Sequence, residues 1–192
     1  MATPAIYSTT TQEGIDINNV FYLDTKTYPE YPAPPFLAGE LAWGTDGSHW
    51  VYCTASITIG SGNVVIVSPT PGSWSVALIG GATVATPPTG ELVGVVGGSQ
   101  GSLSVGAPSG TQTASYFWIQ RAGNAQNVTS AASVSIYTQL HSSPTVGGQL
   151  TSVAGGSSTS YSVNGIVFSV ATGSAAGPNS AILNFPVVGA TG

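Results

Sequence analysis

A nucleophile, a base and a carboxylate are the usual parts of an active site, and here each is scarce. The chain has 192 residues, with two histidines, one cysteine, seven acidic and two basic side chains. Gly97-Gly98-Ser99-Gln100-Gly101 matches G-x-S-x-G, the nucleophile elbow of hydrolases, which must follow a strand and open a helix. A strand is legible before it, but Ser102-Leu103-Ser104-Val105-Gly106 has no helical pattern. A chain this rich in Gly and Ser meets the motif by chance, so a serine hydrolase built on Ser99 is the weakest functional reading. His49 and His141 stand apart from acidic clusters, whereas a catalytic zinc takes three protein ligands. Asp46, three residues before His49, suits the ordering of a turn. Glycoside hydrolysis needs two carboxyls about 5–10 Å apart. Asp46 with Glu91 is the one conceivable pair, and nothing in the sequence brings them together. Cys53 has no partner for a disulfide and sits in the apolar run Trp50-Val51-Tyr52-Cys53, where it reads as a small buried hydrophobe. The expectation is a protein that is not an enzyme, with no catalytic, cofactor-binding or metal-binding residues.

Aromatic side chains are the remaining chemistry. Trp43, Trp50, Trp74 and Trp118 could stack on sugars or fill a core. Trp50 and Trp118 lie inside strand-like runs, while Trp43 and Trp74 border turns and are the better platforms; a core role is preferred for all four. Asn127-Val128-Thr129 fits the N-glycosylation triplet, which carries no weight without an export signal. A second group, Tyr22 and the run Tyr28-Pro29-Glu30-Tyr31-Pro32-Ala33-Pro34-Pro35-Phe36, has interface chemistry. Tyrosine is apolar with one polar tip, and proline restricts the backbone before any contact is made.

Charge narrows the partners. Only 5% of residues are charged, against about 25% in ordinary proteins. Glu13, Asp16, Asp24, Glu30, Glu40 and Asp46 are offset only by Lys26, and beyond residue 46 Glu91 and Arg121 cancel, so the net charge of −5 sits in the N-terminal quarter. Two cations cannot neutralise a row of phosphates, nor form a polybasic membrane patch. Neither nucleic acid nor a membrane is an expected partner. Met1-Ala2-Thr3-Pro4 is not a basic stretch leading into an apolar one, so the expectation is a protein made and used without Sec export.

The elements that must position these residues fall into two parts. Residues 1–38 hold most of the charge and the Tyr/Pro run, and read as an extended, polyproline-II-like N-terminal arm. Its rings need a surface to pack on, either the parent domain or a neighbouring molecule. Residues 39–192 read as an all-β domain, possibly of two pseudo-repeated halves. Runs rich in Val, Ile, Tyr, Phe and Trp at 49–55, 63–68, 74–79, 92–96, 115–120, 133–138, 165–170 and 181–185 have strand composition. Turn chemistry separates them at Thr45-Asp46-Gly47, Ser61-Gly62-Asn63, Arg121-Ala122-Gly123-Asn124 and Val146-Gly147-Gly148. The stretches 97–113 and 151–160 read as loops. Many short strands without an amphipathic helix predict a β-barrel or β-sandwich of short antiparallel strands. The halves echo each other in Val93-Gly94-Val95-Val96 and Asn164-Gly165-Ile166-Val167.

One stretch carries a resemblance. Leu41-Ala42-Trp43-Gly44-Thr45-Asp46-Gly47-Ser48-His49-Trp50-Val51-Tyr52-Cys53-Thr54-Ala55, then Ile57-Thr58-Ile59-Gly60-Ser61-Gly62-Asn63-Val64-Val65, resembles small head proteins of tailed phages. Leu92-Val93-Gly94-Val95, Tyr116-Phe117-Trp118-Ile119-Gln120-Arg121-Ala122-Gly123, Gly147-Gly148-Gln149-Leu150 and Gly165-Ile166-Val167 follow in the same order, so the likeness covers roughly residues 40–188. It implies a capsid decoration (cement) or head-fibre protein on the capsid exterior of the virion. The partner would be the major capsid protein, and the chain itself a homo-oligomer, with a trimer preferred. The likeness supplies no catalytic residues and does not extend to residues 1–38. The capsid-interface residues expected on chemical grounds are Tyr22, Tyr28, Pro29, Tyr31, Pro32, Pro34, Pro35 and Phe36. The alternative is a host-attachment or carbohydrate-binding fibre module.

Overall fold

One strand organises all the others. The computed structural model describes residues 6–8, 14–17, 19–24, 34–81, 90–97, 112–153 and 160–191, and among these every regular element is a β-strand. The N-terminal segment gives β1 (Ile6–Ser8), β2 (Gly14–Ile15) and β3 (Phe21–Asp24). There follow β4 (Leu41–Gly44), β5 (His49–Ala55), β6 (Val64–Thr70), β7 (Ser73–Leu78) and β8 (Leu92–Val96). The 19-residue β9 runs from Gln112 to Ser130. After it come β10 (Leu140–Ser142), β11 (Leu150–Thr151), β12 (Tyr161–Phe168) and β13 (Gly177–Thr191). The chain is all-β.

The pairings close into two rings. In the first, β5 pairs with β7, β7 with β6, β6 with β8, β8 with β9, and β9 returns to β5. In the second, β9 pairs with β11, β11 with β10, β10 with β12, β12 with β13, and β13 returns to β9. Each ring uses five consecutive strands in the same connectivity, and in each the first strand meets the third in the ring's one parallel pairing. The strand β9 belongs to both. The two glycine-bearing strands that echo each other in sequence, β8 and β12, hold the same place in their rings.

Period-two alternation explains the cores. Val51, Cys53 and Ala55 of β5, Val65 and Val67 of β6, Val76, Val96, and Phe117 and Ile119 of β9 form one buried cluster. The opposite faces of β6 and β8 offer Val64, Ile66, Val93 and Val95 to a second cluster. That cluster is completed by Ala125 and Val128 of β9, Leu140, Leu150, Val163, Ile166, Phe168, Ala181 and Leu183. Gly94 sits where β8 crosses β9. A Cβ there would lie 2.6 Å from Ile119 Cδ1 and 3.2 Å from the Gln120 carbonyl, so only glycine admits this contact.

Several local expectations change. The stretch 133–138 is not a strand: Ser133 and Tyr137 have φ of 57°. The backbone amide of Val134 donates to Thr172 Oγ1, and Thr138 Oγ1 donates to the Ser135 carbonyl, so hydroxyls take over bonds that a ladder would use. The predicted turn at Arg121-Ala122-Gly123-Asn124 lies inside β9. Gly123 has φ of 93° and its Cα faces Ser48 so closely that a Cβ would fall 2.9 Å from the Ser48 Cα. The glycine makes an irregularity in a continuous strand rather than a reversal. The turns at Asp46-Gly47, Gly62-Asn63 and Gly147-Gly148 do reverse the chain, with bonds Gly47 N to Gly44 O and Asn63 N to Gly60 O and positive φ at Gly47, Gly62 and Gly148.

The described parts of the N-terminal segment pack on the parent domain, one of the two surfaces expected for them. Strand β1 pairs with β4, and β3 pairs with β9 from Phe21↔Tyr116 to Asp24↔Gln112. Ile15 and Ile17 are buried with Ala42, Trp50, Tyr52 and Trp118, and Phe36 packs against this cluster. The reason is the outward face of β5 and β9. Trp50, Tyr52 and Trp118 point away from the ring interior, and that much indole and phenol surface is favourably removed from water. The N-terminal segment provides the cover.

Candidate functional site

Two aromatic groupings flank the first ring. The first forms where the N-terminal segment crosses β5 and β9. Phe36 meets Tyr52 edge-on at 5.4 Å between ring centroids and Trp118 at 5.1 Å. Tyr52 and Trp118 lie 5.0 Å apart, and Phe21 meets the edge of Tyr116 at 6.2 Å. Tyr52 and Trp118 share a face because β5 and β9 are in register there, Tyr52 opposite Trp118. Burial, with the neighbouring Tyr116, holds the Tyr52 phenol well above its ordinary range, so it acts as a neutral hydroxyl. A cleft of about 130 Å³ opens between these rings, lined by Asp16, Asn19, Phe21, Pro35, Phe36, Tyr52 and Trp118.

The second grouping lies at the far end of β5. His49 is buried, its imidazole 4.5 Å from Trp43 and 5.1 Å from Phe185 between ring centroids. The register explains the assembly, since Trp43 pairs with His49 and His49 with Ala122, beside which Asn184 of β13 pairs. Phe185 follows with a φ of 46° ahead of Pro186. Arg121 is buried, its Nε donating to the Val93 carbonyl at 3.1 Å and Nη2 to the Pro186 carbonyl at 3.1 Å. Its guanidinium carbon is 5.9 Å from the Phe185 ring centre. Desolvation first and the Arg121 charge second push the His49 pKa down. Nδ1 of His49 is buried without a hydrogen-bond partner, a state that suits a neutral ring. Trp43 and Phe185 present the outer surface, 47% and 45% exposed.

The residues singled out from sequence are dispersed. Of the expected interface residues, Tyr22 lies on β3, exposed and opposite Ser115. Pro34 is half-buried, Pro35 is exposed, and Phe36 is half-buried against the cluster that holds Trp118. Tyr28, Pro29, Tyr31 and Pro32 lie outside the described residues, as does Ser99. Trp50 and Trp118 are core, Trp74 is half-buried against the first cluster, but Trp43 corrects the expectation of four core indoles. Strand β4 lies between β1 and β5, and its alternation buries Ala42 and turns Trp43 toward the surface. Asp46 accepts from the Ser48 amide at 3.0 Å and so orders its turn. Ser48 Oγ in turn accepts from Trp50 Nε1 at 2.8 Å. Glu91 accepts from Ser68 Oγ at 2.7 Å, and His141 sits on β10. Cys53 is wholly buried and its thiol pKa is raised by desolvation. Among the described residues no three His, Cys, Asp or Glu side chains gather.

Sequence reasoning passed over Asp16, Phe21, Arg121 and Phe185. Arg121 could have been found as the lone cation in a body nearly without charge. Phe185 gave no signal, because its exposure follows from a positive φ set by pairing across β12 and β13. Compared with known proteins, the chain matches no family model and no curated protein sequence.

Proposed function

We propose that the chain is a virion structural protein that binds the outer surface of a tailed-phage capsid and stabilises or decorates it. Its partner would be the major capsid protein, and it would act as a homo-oligomer. The observation that carries this reading is the place of β3, which ends the order of strands after β9. It leaves Tyr22 exposed, shortly before the Tyr/Pro run in sequence. An exposed tyrosine on the last strand of the order is apolar with one polar tip and suits contact with another chain. The ordered motifs between residues 40 and 188 add support from sequence. Weak contacts of this kind, repeated over a shell, combine through multivalency.

Because Ile15, Ile17 and Phe36 pack in the cluster that holds Trp118, deletion of 1–38 would damage the fold along with any contact. Full-length protein and a Tyr22→Ala/Tyr28→Ala/Tyr31→Ala variant should instead be sedimented with expanded, DNA-free capsids of the encoding phage. Saturable binding by the parent, reduced at least about tenfold in a folded variant, is expected for three interface aromatics. Absence of binding by the parent would reject the capsid reading.

The exposed pair Trp43 and Phe185 favours a second reading, a carbohydrate-binding fibre module. An exposed indole can stack on a pyranose face. Retention on host envelope glycans that is lost in Trp43→Ala would support it, and silence on a glycan array would remove it.

A further inference from the structure

We propose that Asn164 on β12 is a site of spontaneous covalent modification, in which the Gly165 backbone nitrogen displaces the Asn164 side-chain amide and leaves an aspartyl or isoaspartyl residue. Of the asparagines in the chain, only Asn164 precedes a glycine. The attack closes a five-membered imide, and a Cβ on the following residue crowds that closure; glycine has none. The Asn164 side chain is exposed and loosely held. Its Oδ1 accepts a long bond of 3.4 Å from Gln139 Nε2, and among the described residues its Nδ2 donates to no acceptor. Other asparagines are tied down. Asn179 Nδ2 donates to Ser130 Oγ and the Gly177 carbonyl, Asn127 Nδ2 to Ser61 Oγ, and Asn63 Oδ1 accepts from the Gly60 amide.

The backbone supports the same reading. Strand β12 pairs with β13 at Asn164↔Val187 and next at Ile166↔Leu183, so Gly165 has no partner in that ladder. Its φ is 85°. The irregularity leaves the Asn164–Gly165 peptide less constrained than a regular ladder would. The fold also requires the glycine, since a Cβ at 165 would fall 2.7 Å from the Asn184 carbonyl oxygen and 2.9 Å from Pro186 Cα. Packing of β13 thus fixes the residue that permits the reaction. In the first step a bond forms between Gly165 N and Asn164 Cγ, and the Cγ–Nδ2 bond breaks. Nδ2 leaves as ammonia, with its own hydrogens and the Gly165 proton. Water then opens the imide. Opening at Cγ gives aspartate on an unchanged backbone; opening at the main-chain carbonyl gives isoaspartate, which adds a methylene to β12. Nothing is oxidised or reduced, and water is the only co-reactant. Either product puts a carboxylate into residues 122–192, a stretch without Asp, Glu, Lys or Arg. It would border a groove of about 370 Å³ that Tyr137, Gln139 and Ile166 also line.

The test uses the full chain, incubated native and in denaturant in mildly alkaline buffer, where the attacking amide loses its proton more readily. Cleavage after Arg121 then frees residues 122–192 for mass spectrometry. The native protein should show the mass shift of an amide turned acid, located by fragmentation at Asn164. Asn124 and Asn184, also exposed but followed by Ala125 and Phe185, should stay intact. An isoaspartyl methyltransferase should methylate aged protein and not fresh protein. Asn164→Gln, whose longer side chain disfavours the ring, should abolish both signals with an unchanged Tm. A native Asn164 still intact when the denatured chain has converted would overturn the proposal, as would equal conversion at Asn124 or Asn184. Methylation that survives in Asn164→Gln would overturn the site.

Discussion

Phe36→Ala separates a cover from a dangling arm. The ring is half-buried and touches Tyr52 and Trp118 edge-on at 5.4 and 5.1 Å. A fully buried Phe→Ala change costs about 3–5 kcal/mol. Part of this ring already meets water, so about 2 kcal/mol is the expected loss, including two edge-to-face pairs of about 0.5–1 kcal/mol each. For a chain of this length that corresponds to a fall of about 4–8 °C in Tm. Trp118 is 1% exposed, and removal of its cover should move part of the tryptophan emission to longer wavelength. Phe36→Leu should fall between the parent and the alanine variant. Differential scanning fluorimetry and emission spectra make both measurements on the same samples. An alanine variant with the parent's Tm and an unshifted spectrum would refute the assignment of residues 34–38 to the folded body.

Three further outcomes are expected. Gly94→Ala should destabilise the protein by about 1–3 kcal/mol in urea melts. Because the closest clash is with Ile119 Cδ1 at 2.6 Å, the double variant with Ile119→Val should lose at least about 0.5 kcal/mol less than the sum of the singles. The lowered His49 pKa makes the unfolded chain the better proton binder. That contribution to stability is complete above the unfolded value of about 6.5 and is lost as pH falls from there through the lower folded value. Melts between pH 7.5 and 5, on the order of the range a histidine controls, should show this slope, and His49→Gln should flatten it. Cys53 should resist iodoacetamide in the native protein and react at once in denaturant, because burial both shields the thiol and raises its pKa; rapid native labelling would contradict a closed first ring.

Much of the fold could be read directly. Strands β5 and β8 fall on the predicted runs, because Trp50 to Cys53 and Val93 to Val96 alternate or are buried on both faces. The turns with Asp46-Gly47 and Gly62-Asn63 were written in residue types that permit positive φ. Where reading failed, the deciding partner was distant in sequence. Gly123 looks like a turn residue, yet it is Ser48, 75 positions away in the chain, that requires the missing Cβ. Residues 133–138 alternate like a strand, but Thr172 bonds Val134 and leaves Ile136 and Tyr137 outside. The same holds for the sites. Trp43 was recognisable as a turn-bordering platform, whereas Asp16 and Phe185 became neighbours of the aromatic groupings only through pairing that no local pattern encodes.

A strand common to two rings makes the molecule hard to take apart in pieces. Peeling β9 from β5 opens the first ring at the wall that the second also needs, and releasing β13 from β9 does the converse. Fraying can start at β1 or β3, but beyond that point no half can melt alone. The amides of β9 should therefore exchange with solvent only through global unfolding, as the slowest set in the protein. Closure also demands contacts remote in sequence before either ring pays its ordering cost back, which predicts slow folding and correspondingly slow unfolding. Such a molecule persists through its kinetic barrier: once assembled, it is proofed against proteases and transient heat even where its equilibrium stability is ordinary.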